Sequence, residues 1–207
     1  MGDQFKYASV WKVAEASCIL VGFGFQGFDD KTGACVGYRG VENLDILGFN
    51  FATNVAERSR YWNKGTQSWL EKYIYRRTNN SLVATYFVSS LWHGMYPGYY
   101  MFFLSIPLLT SVERLVRAKI NPIVIPGFDP RDPSTTPRGV VATLYYAVCW
   151  LLTMMVVFYI GQPFSQFSFE RGYRALASYK FAPYVACVVA YGVLSAMPGG
   201  KKKEKAK

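Results

Sequence analysis

The sequence predicts an all-α protein, a polytopic transmembrane helical bundle with one interfacial amphipathic helix, and three observations carry that reading. Hydrophobic residues make up 51% of the 207, and aromatics 17%. Three windows hold no formal charge: Thr78 to Val112, Gly139 to Phe169, and Phe181 to Gly200. A buried soluble helix rarely needs more than about 14 such residues, whereas a membrane-spanning helix needs roughly 20. Finally, Lys and Arg gather in the loops and tails beside those windows, where they can face anionic headgroups or mark the cytoplasmic side. A net charge of +10 suits nucleic acid when basic residues interleave with aromatics along a soluble groove. That pattern is missing here, so membrane lipids are the expected partners and no nucleic acid is.

Taken in order, residues 5–28 form a first, weaker apolar stretch with Lys12 and Glu15 near its beginning. Its end, Gly22-Phe-Gly-Phe-Gln-Gly27, lacks the strand–turn–helix context of a dinucleotide fingerprint. Those glycines are expected to permit close helix approach or an irregular break. Residues 29–81 are the most polar third. Within them Trp62, Thr66, Trp69, Leu70 and Tyr73 recur at helical spacing, with Lys64, Glu71, Lys72 and Arg76 elsewhere around the wheel. An amphipathic helix at the membrane interface fits that pattern, and so does a helix packed on a neighbouring segment.

Residues 81–110 are apolar but interrupted at Pro97-Gly98, which predicts a kink or a re-entrant pair of half-helices. A loop is expected from Ser111, proline-rich over 121–139. Residues 140–160 make the cleanest span, about 31 Å at 1.5 Å per residue. A shorter terminal span follows at 181–197, then a basic tail at 198–207. The whole reads as a single membrane domain, residues 1–207. With the tail in the cytosol, two full spans place loop 111–139 there too; block 29–81 joins it if residues 81–110 re-enter. Of the four cysteines, Cys18, Cys149 and Cys187 sit in apolar segments and read as buried free thiols.

Chemistry converges on one side chain. His93 is the sole histidine, inside Leu91-Trp-His-Gly-Met-Tyr-Pro-Gly-Tyr-Tyr100. Ionisable groups at membrane depth are costly and tend to mark function. An imidazole there is expected to be uncharged at pH 7 and able to accept a proton, as a general base must. On position alone, a hydrogen-bonded core histidine is the commoner outcome. No metal site is expected, since the window offers no second histidine and no acidic residue. Asn63, taken alone, reads as a helix N-cap or a loop residue.

The neighbouring residues add a resemblance. Trp92-His93-Gly94 followed by Tyr96-Pro97-Gly98-Tyr99 resembles the histidine motif of the membrane-bound O-acyltransferases, in the form common to the lysophospholipid acyltransferases. Upstream, Tyr61-Trp62-Asn63, Thr66-Gln67, Trp69-Leu70 and Tyr75-Arg76-Arg77 are similar to the segment that holds that family's catalytic asparagine. The likeness runs back through Glu42-Asn-Leu-Asp45 and Gly22–Gly27, making residues 6–110 the motif-bearing core of the C-terminal part of such a fold.

The resemblance implies a catalytic pair of His93 and Asn63, with Trp62, Trp92, Tyr96 and Tyr99 lining the substrate path. It implies acyl-CoA as co-substrate, a lysophospholipid as acceptor, no cofactor and no metal. A multi-pass place in the endoplasmic reticulum membrane follows, in keeping with the lysine-rich terminus. Family members are about twice as long, so a missing N-terminal half is an expected partner. Competing readings are another acceptor (a sterol, diacylglycerol or a protein) or a non-catalytic membrane protein.

Overall fold

The computed structural model describes residues 2–125, 127–128 and 139–197. Among them the regular structure is helical, apart from one antiparallel bridge between Phe28 and Cys35. The chain forms two compact units. The first takes residues up to Ala52 together with Ala56–Lys72, and the second takes Thr53–Val55 and the chain from Tyr73 onward.

The first unit opens with α1 (Gly2–Leu20). Beyond it the glycine-rich stretch leaves the helix, with positive φ at Gly22, Gly24 and Gly27. Gly24 is also there for space: a Cβ would sit 2.8 Å from the Val41 backbone nitrogen, inside the 3₁₀ turn Arg39–Val41. The close approach expected of these glycines is therefore made to a turn, not to a helix. Asp45 then starts α2 (Ile46–Phe51), its carboxylate accepting the Gly48 N–H at 2.8 Å. Helices α3 (Val55–Tyr61) and α4 (Lys64–Leu70) follow, with Trp62 and Asn63 in the turn between them.

The expected amphipathic helix does not form as one piece. α4 gives way to a π-helical turn, Glu71–Tyr75, and then a 3₁₀ turn, Arg76–Thr78. Trp62 lies outside α4, in the turn before it, and Tyr73 lies in the π-helical turn after it.

In the second unit, Asn79 and Asn80 turn the chain in the left-handed region and Ser81 caps α5 (Leu82–His93), accepting the Ala84 N–H at 3.2 Å. There follow α6 (Pro97–Phe103), α7 (Ile106–Lys119), α8 (Asn121–Val124), α9 (Val140–Ile160), α10 (Gln162–Gln166), α11 (Phe169–Ala177) and α12 (Ala182–Ala196). Pro97, Pro107, Pro122, Pro163 and Pro183 each occupy the first or second position of a helix. There a missing N–H costs no hydrogen bond and the fixed φ helps, so these prolines start helices as well as interrupt them.

The loop expected from Ser111 is a second departure. α7 continues to Lys119, with the Ser111 hydroxyl donating back to the Pro107 carbonyl at 2.7 Å. Of its buried residues Ile106, Pro107, Leu109 and Thr110, the first, third and fourth share one face, and Glu113 accepts the Val55 N–H at 2.5 Å. The appearance of charge at Glu113 marks a change of surroundings, not the end of the helix. The first residues of the expected proline-rich loop 121–139 form α8. Most of the remainder of that loop (126 and 129–138), and the basic tail 198–207, lie outside the described residues.

A core of Phe103, Ile106, Leu109, Tyr159, Ile160 and Leu176 ties α6, α7, α9 and α11 together. α9 covers the expected span 140–160, and with α10 it makes 27 residues long and apolar enough to cross a membrane. It leaves Val141, Leu144, Val148, Leu151, Leu152, Met155 and Phe158 exposed. The terminal span is shorter than expected: α12 has 15 residues, about 22 Å, against a hydrocarbon core of about 30 Å. It passes the same test only jointly with α11, as a pair bent by 70°.

Candidate active site

His93 is the last residue of α5, where the chain must turn sharply. Gly94 makes that turn at φ +124°, a region open to glycine, and its N–H donates to the carbonyls of Ser90 and Leu91. Three residues later Pro97 starts α6. Gly98 is buried: its N–H donates to the Phe167 carbonyl at 3.3 Å, and a Cβ would overlap the Pro163 carbonyl oxygen. Gly172 of α11 also lies against Pro163, where an added Cβ would sit 3.0 Å from the Pro163 Cβ. Two bare backbones thus let α6 and α11 close on α10 and bring Phe164 onto the imidazole.

The His93 ring is surrounded by rings. Centroid distances are 4.8 Å to Phe103, 4.9 Å to Trp92, 5.5 Å to Phe164 and 5.6 Å to Tyr99. Tyr99 packs in turn on Phe164 at 4.8 Å, and Tyr96 on Phe167 at 5.3 Å. Trp92 and Tyr96 keep more than half of their surface exposed. Beside this turn lies an apolar cavity of about 540 Å³, lined by Met95, Pro97, Tyr100, Met101 and Leu104 among others. On its wall the Ser105 and Tyr184 hydroxyls are hydrogen-bonded at 2.5 Å. The structure therefore gathers Trp92, His93, Tyr96 and Tyr99 within one unit.

Asn63 and Trp62 belong to the other unit. Asn63 sits at the N-cap position of α4 in the left-handed region, φ +49° and ψ +54°, which asparagine tolerates better than most residues. Its carbonyl accepts the Gln67 N–H at 2.9 Å, yet its side chain does not cap the helix. That task falls to Asn43, whose Oδ1 accepts the Gly65 N–H at 3.0 Å while its Nδ2 donates to Asn63 Oδ1 at 3.3 Å. Asn43 is itself fixed at both main-chain groups: its N–H donates to Glu15 Oε1 at 2.7 Å, and its carbonyl accepts the Lys64 N–H at 2.9 Å. Glu15 also accepts the Leu44 N–H at 3.2 Å and pairs with Lys12 at 2.6 Å. Glu42 pairs with Lys64 at 3.0 Å.

Trp62 packs against Phe49 at 4.6 Å and Trp11 at 4.9 Å, and the Arg58 guanidinium lies 3.9 Å over the Phe49 ring. Burial pushes Arg58 down to about 10, so it stays cationic at neutral pH. Among the described residues no group of three or more His, Cys, Asp and Glu side chains is placed to hold a metal ion. Sequence reasoning passes over Glu15, Asn43 and Phe164. Asn43 lies within the quoted Glu42–Asp45 stretch, but nothing in that stretch pairs it with residue 63.

The model of the membrane-bound O-acyltransferase family matches residues 3–131, which include both His93 and Asn63. The chain belongs to the membrane-bound O-acyltransferase family. Similar members include "Lysophospholipid acyltransferase" of Saccharomyces cerevisiae, 30% identical over 197 residues, covering 91% of this chain and 30% of that protein. "Lysophospholipid acyltransferase 2" of Arabidopsis thaliana is 27% identical over 199 residues, covering 92% and 40%. "Membrane-bound glycerophospholipid O-acyltransferase 2" of Homo sapiens is 29% identical over 181 residues, covering 87% and 32%. This membrane-bound O-acyltransferase chain thus spans 30–40% of the length of these relatives.

Proposed function

We propose that the chain carries the catalytic part of an acyl-CoA-dependent lysophospholipid acyltransferase of phospholipid remodelling, in a multi-pass protein of the endoplasmic reticulum membrane. The observation that supports it most is the sole imidazole of the chain, seated among four aromatic rings at a glycine-built helix break. Such a setting half-buries the imidazole, which favours its neutral, proton-accepting form, and an apolar cavity suited to an acyl chain is lined by Met95 and Pro97 of the turn that follows it. The relatives named lysophospholipid acyltransferases favour a lysophospholipid as the acceptor.

In this mechanism His93 takes the proton of the free glycerol hydroxyl as that oxygen bonds to the thioester carbonyl carbon. The carbonyl electron pair moves to oxygen, and the Asn63 amide N–H donates to the oxyanion. Collapse re-forms the carbonyl and breaks the carbon–sulfur bond. CoA leaves as a thiolate and takes the proton back from the imidazolium, so phospholipid and CoA are the products and the enzyme is unchanged. Neither a covalent acyl-enzyme nor a metal enters. The family motif assigns Trp62, Trp92, Tyr96 and Tyr99 to substrate binding, and the 540 Å³ cavity is proposed to receive the acyl chain.

The test is an acceptor panel. Membranes carrying the chain are given labelled acyl-CoA with lysophosphatidylcholine, lysophosphatidylethanolamine, lysophosphatidylinositol, a sterol, diacylglycerol and total protein. Label is expected in phospholipid. Transfer confined to the other acceptors, or no transfer above control membranes, would contradict the reading.

A further inference from the structure

We propose that Asn43 is a positioning residue that decides which end of the Asn63 amide faces substrate; this rests on the role given to Asn63 above. An amide side chain has a donor end and an acceptor end of nearly equal size, and only its partners dictate which way it points. Here the chain of dictation starts at a group with no choice. The Gly65 backbone N–H can only donate, so the end of Asn43 that meets it at 3.0 Å is the oxygen.

The Asn43 NH₂ is therefore the end that reaches Asn63, and it meets Oδ1 at 3.3 Å. The amide is planar, so holding Asn63 by its oxygen turns its NH₂ away from Asn43 with two N–H donors. A donor is what a developing oxyanion requires. With its amide reversed, Asn63 would present a carbonyl oxygen to the oxyanion and repel it.

Asn43 suits this task because it has little freedom itself. Glu15 holds its N–H and Lys64 its carbonyl. Glu15 is 9% exposed and anchored by Lys12.

The test is Asn43→Asp. Aspartate has the same shape and still accepts the Gly65 N–H, so the cap is kept. It cannot donate to Asn63 Oδ1, and its carboxylate draws the Asn63 NH₂ toward itself, reversing the amide. Acyl transfer should fall about 10²-fold in kcat, the size of a lost oxyanion donor, with KM for both substrates within about twofold and thermal stability unchanged. The double variant Asn43→Asp/Asn63→Asp should be no slower than Asn63→Asp, because Asn43 acts only through Asn63. Wild-type kcat in Asn43→Asp, or losses that multiply in the double variant, would overturn the proposal. Wild-type kcat in Asn63→Asp would instead sink the role of Asn63 itself, and this inference with it.

Discussion

At Asn63 a left-handed backbone carries the donor amide that the proposed mechanism uses, and substitutions separate the two. Asn63→Asp keeps a residue that tolerates that backbone and keeps an acceptor for Asn43, but it removes the donor. Turnover is expected to fall about 10²–10³-fold while the melting temperature in detergent stays put. Asn63→Ala removes both and should also destabilise the chain by about 1–2 kcal/mol, measured by the same melt. On position alone His93 reads as a core histidine, and its proposed role comes from the motif around it. Asn63 is legible only through its motif, since an asparagine before a helix is ordinarily a cap. Asn43 and Glu15 are not legible at all. Their hydrogen bonds cross 20 and 28 residues of chain, and only the turns at Gly24 and Asn63 decide that those residues meet.

Among the helices, two glycines make opposite forecasts. Gly98→Ala drives a methyl into the Pro163 carbonyl and should cost about 1–3 kcal/mol by overpacking a backbone contact that side chains cannot relieve. Gly192, within α12, has no atom within 4 Å of its missing Cβ. Gly192→Ala should therefore stabilise by roughly 0.5–1 kcal/mol through helix propensity. Paired melts of the two variants read both signs, and equal shifts would refute the packing of α6 on α10. The break at Pro97-Gly98 is legible because proline removes a donor and glycine frees the chain. The interior of the Trp62–Tyr73 stretch is not, because a π turn adds a residue without any change in composition. Ser111 misleads for a different reason: α7 passes from apolar to charged surroundings without stopping.

α9 presents an apolar stripe of Val141, Leu144, Val148, Leu151, Leu152, Met155 and Phe158. Leu151 lies at the middle of the helix and is about half exposed. Leu151→Arg should raise the cost of insertion by about 2.5–3.5 kcal/mol, seen as loss of the chain from carbonate-resistant membranes; full retention would argue against α9 as a span. This helix is legible end to end because length and apolarity alone define it, whereas α11 and α12 qualify only as a bent pair whose turn the sequence hides. The folded chain seats one imidazole among four aromatic rings, and the proposed mechanism gives it the task of proton abstraction. The direct measurement is kcat for acyl transfer to a lysophospholipid by His93→Gln and wild type, at matched protein in the same membranes. A loss of about 10²–10⁴-fold, with little change in KM for acyl-CoA, is expected; a variant that turns over at the wild-type rate would contradict it.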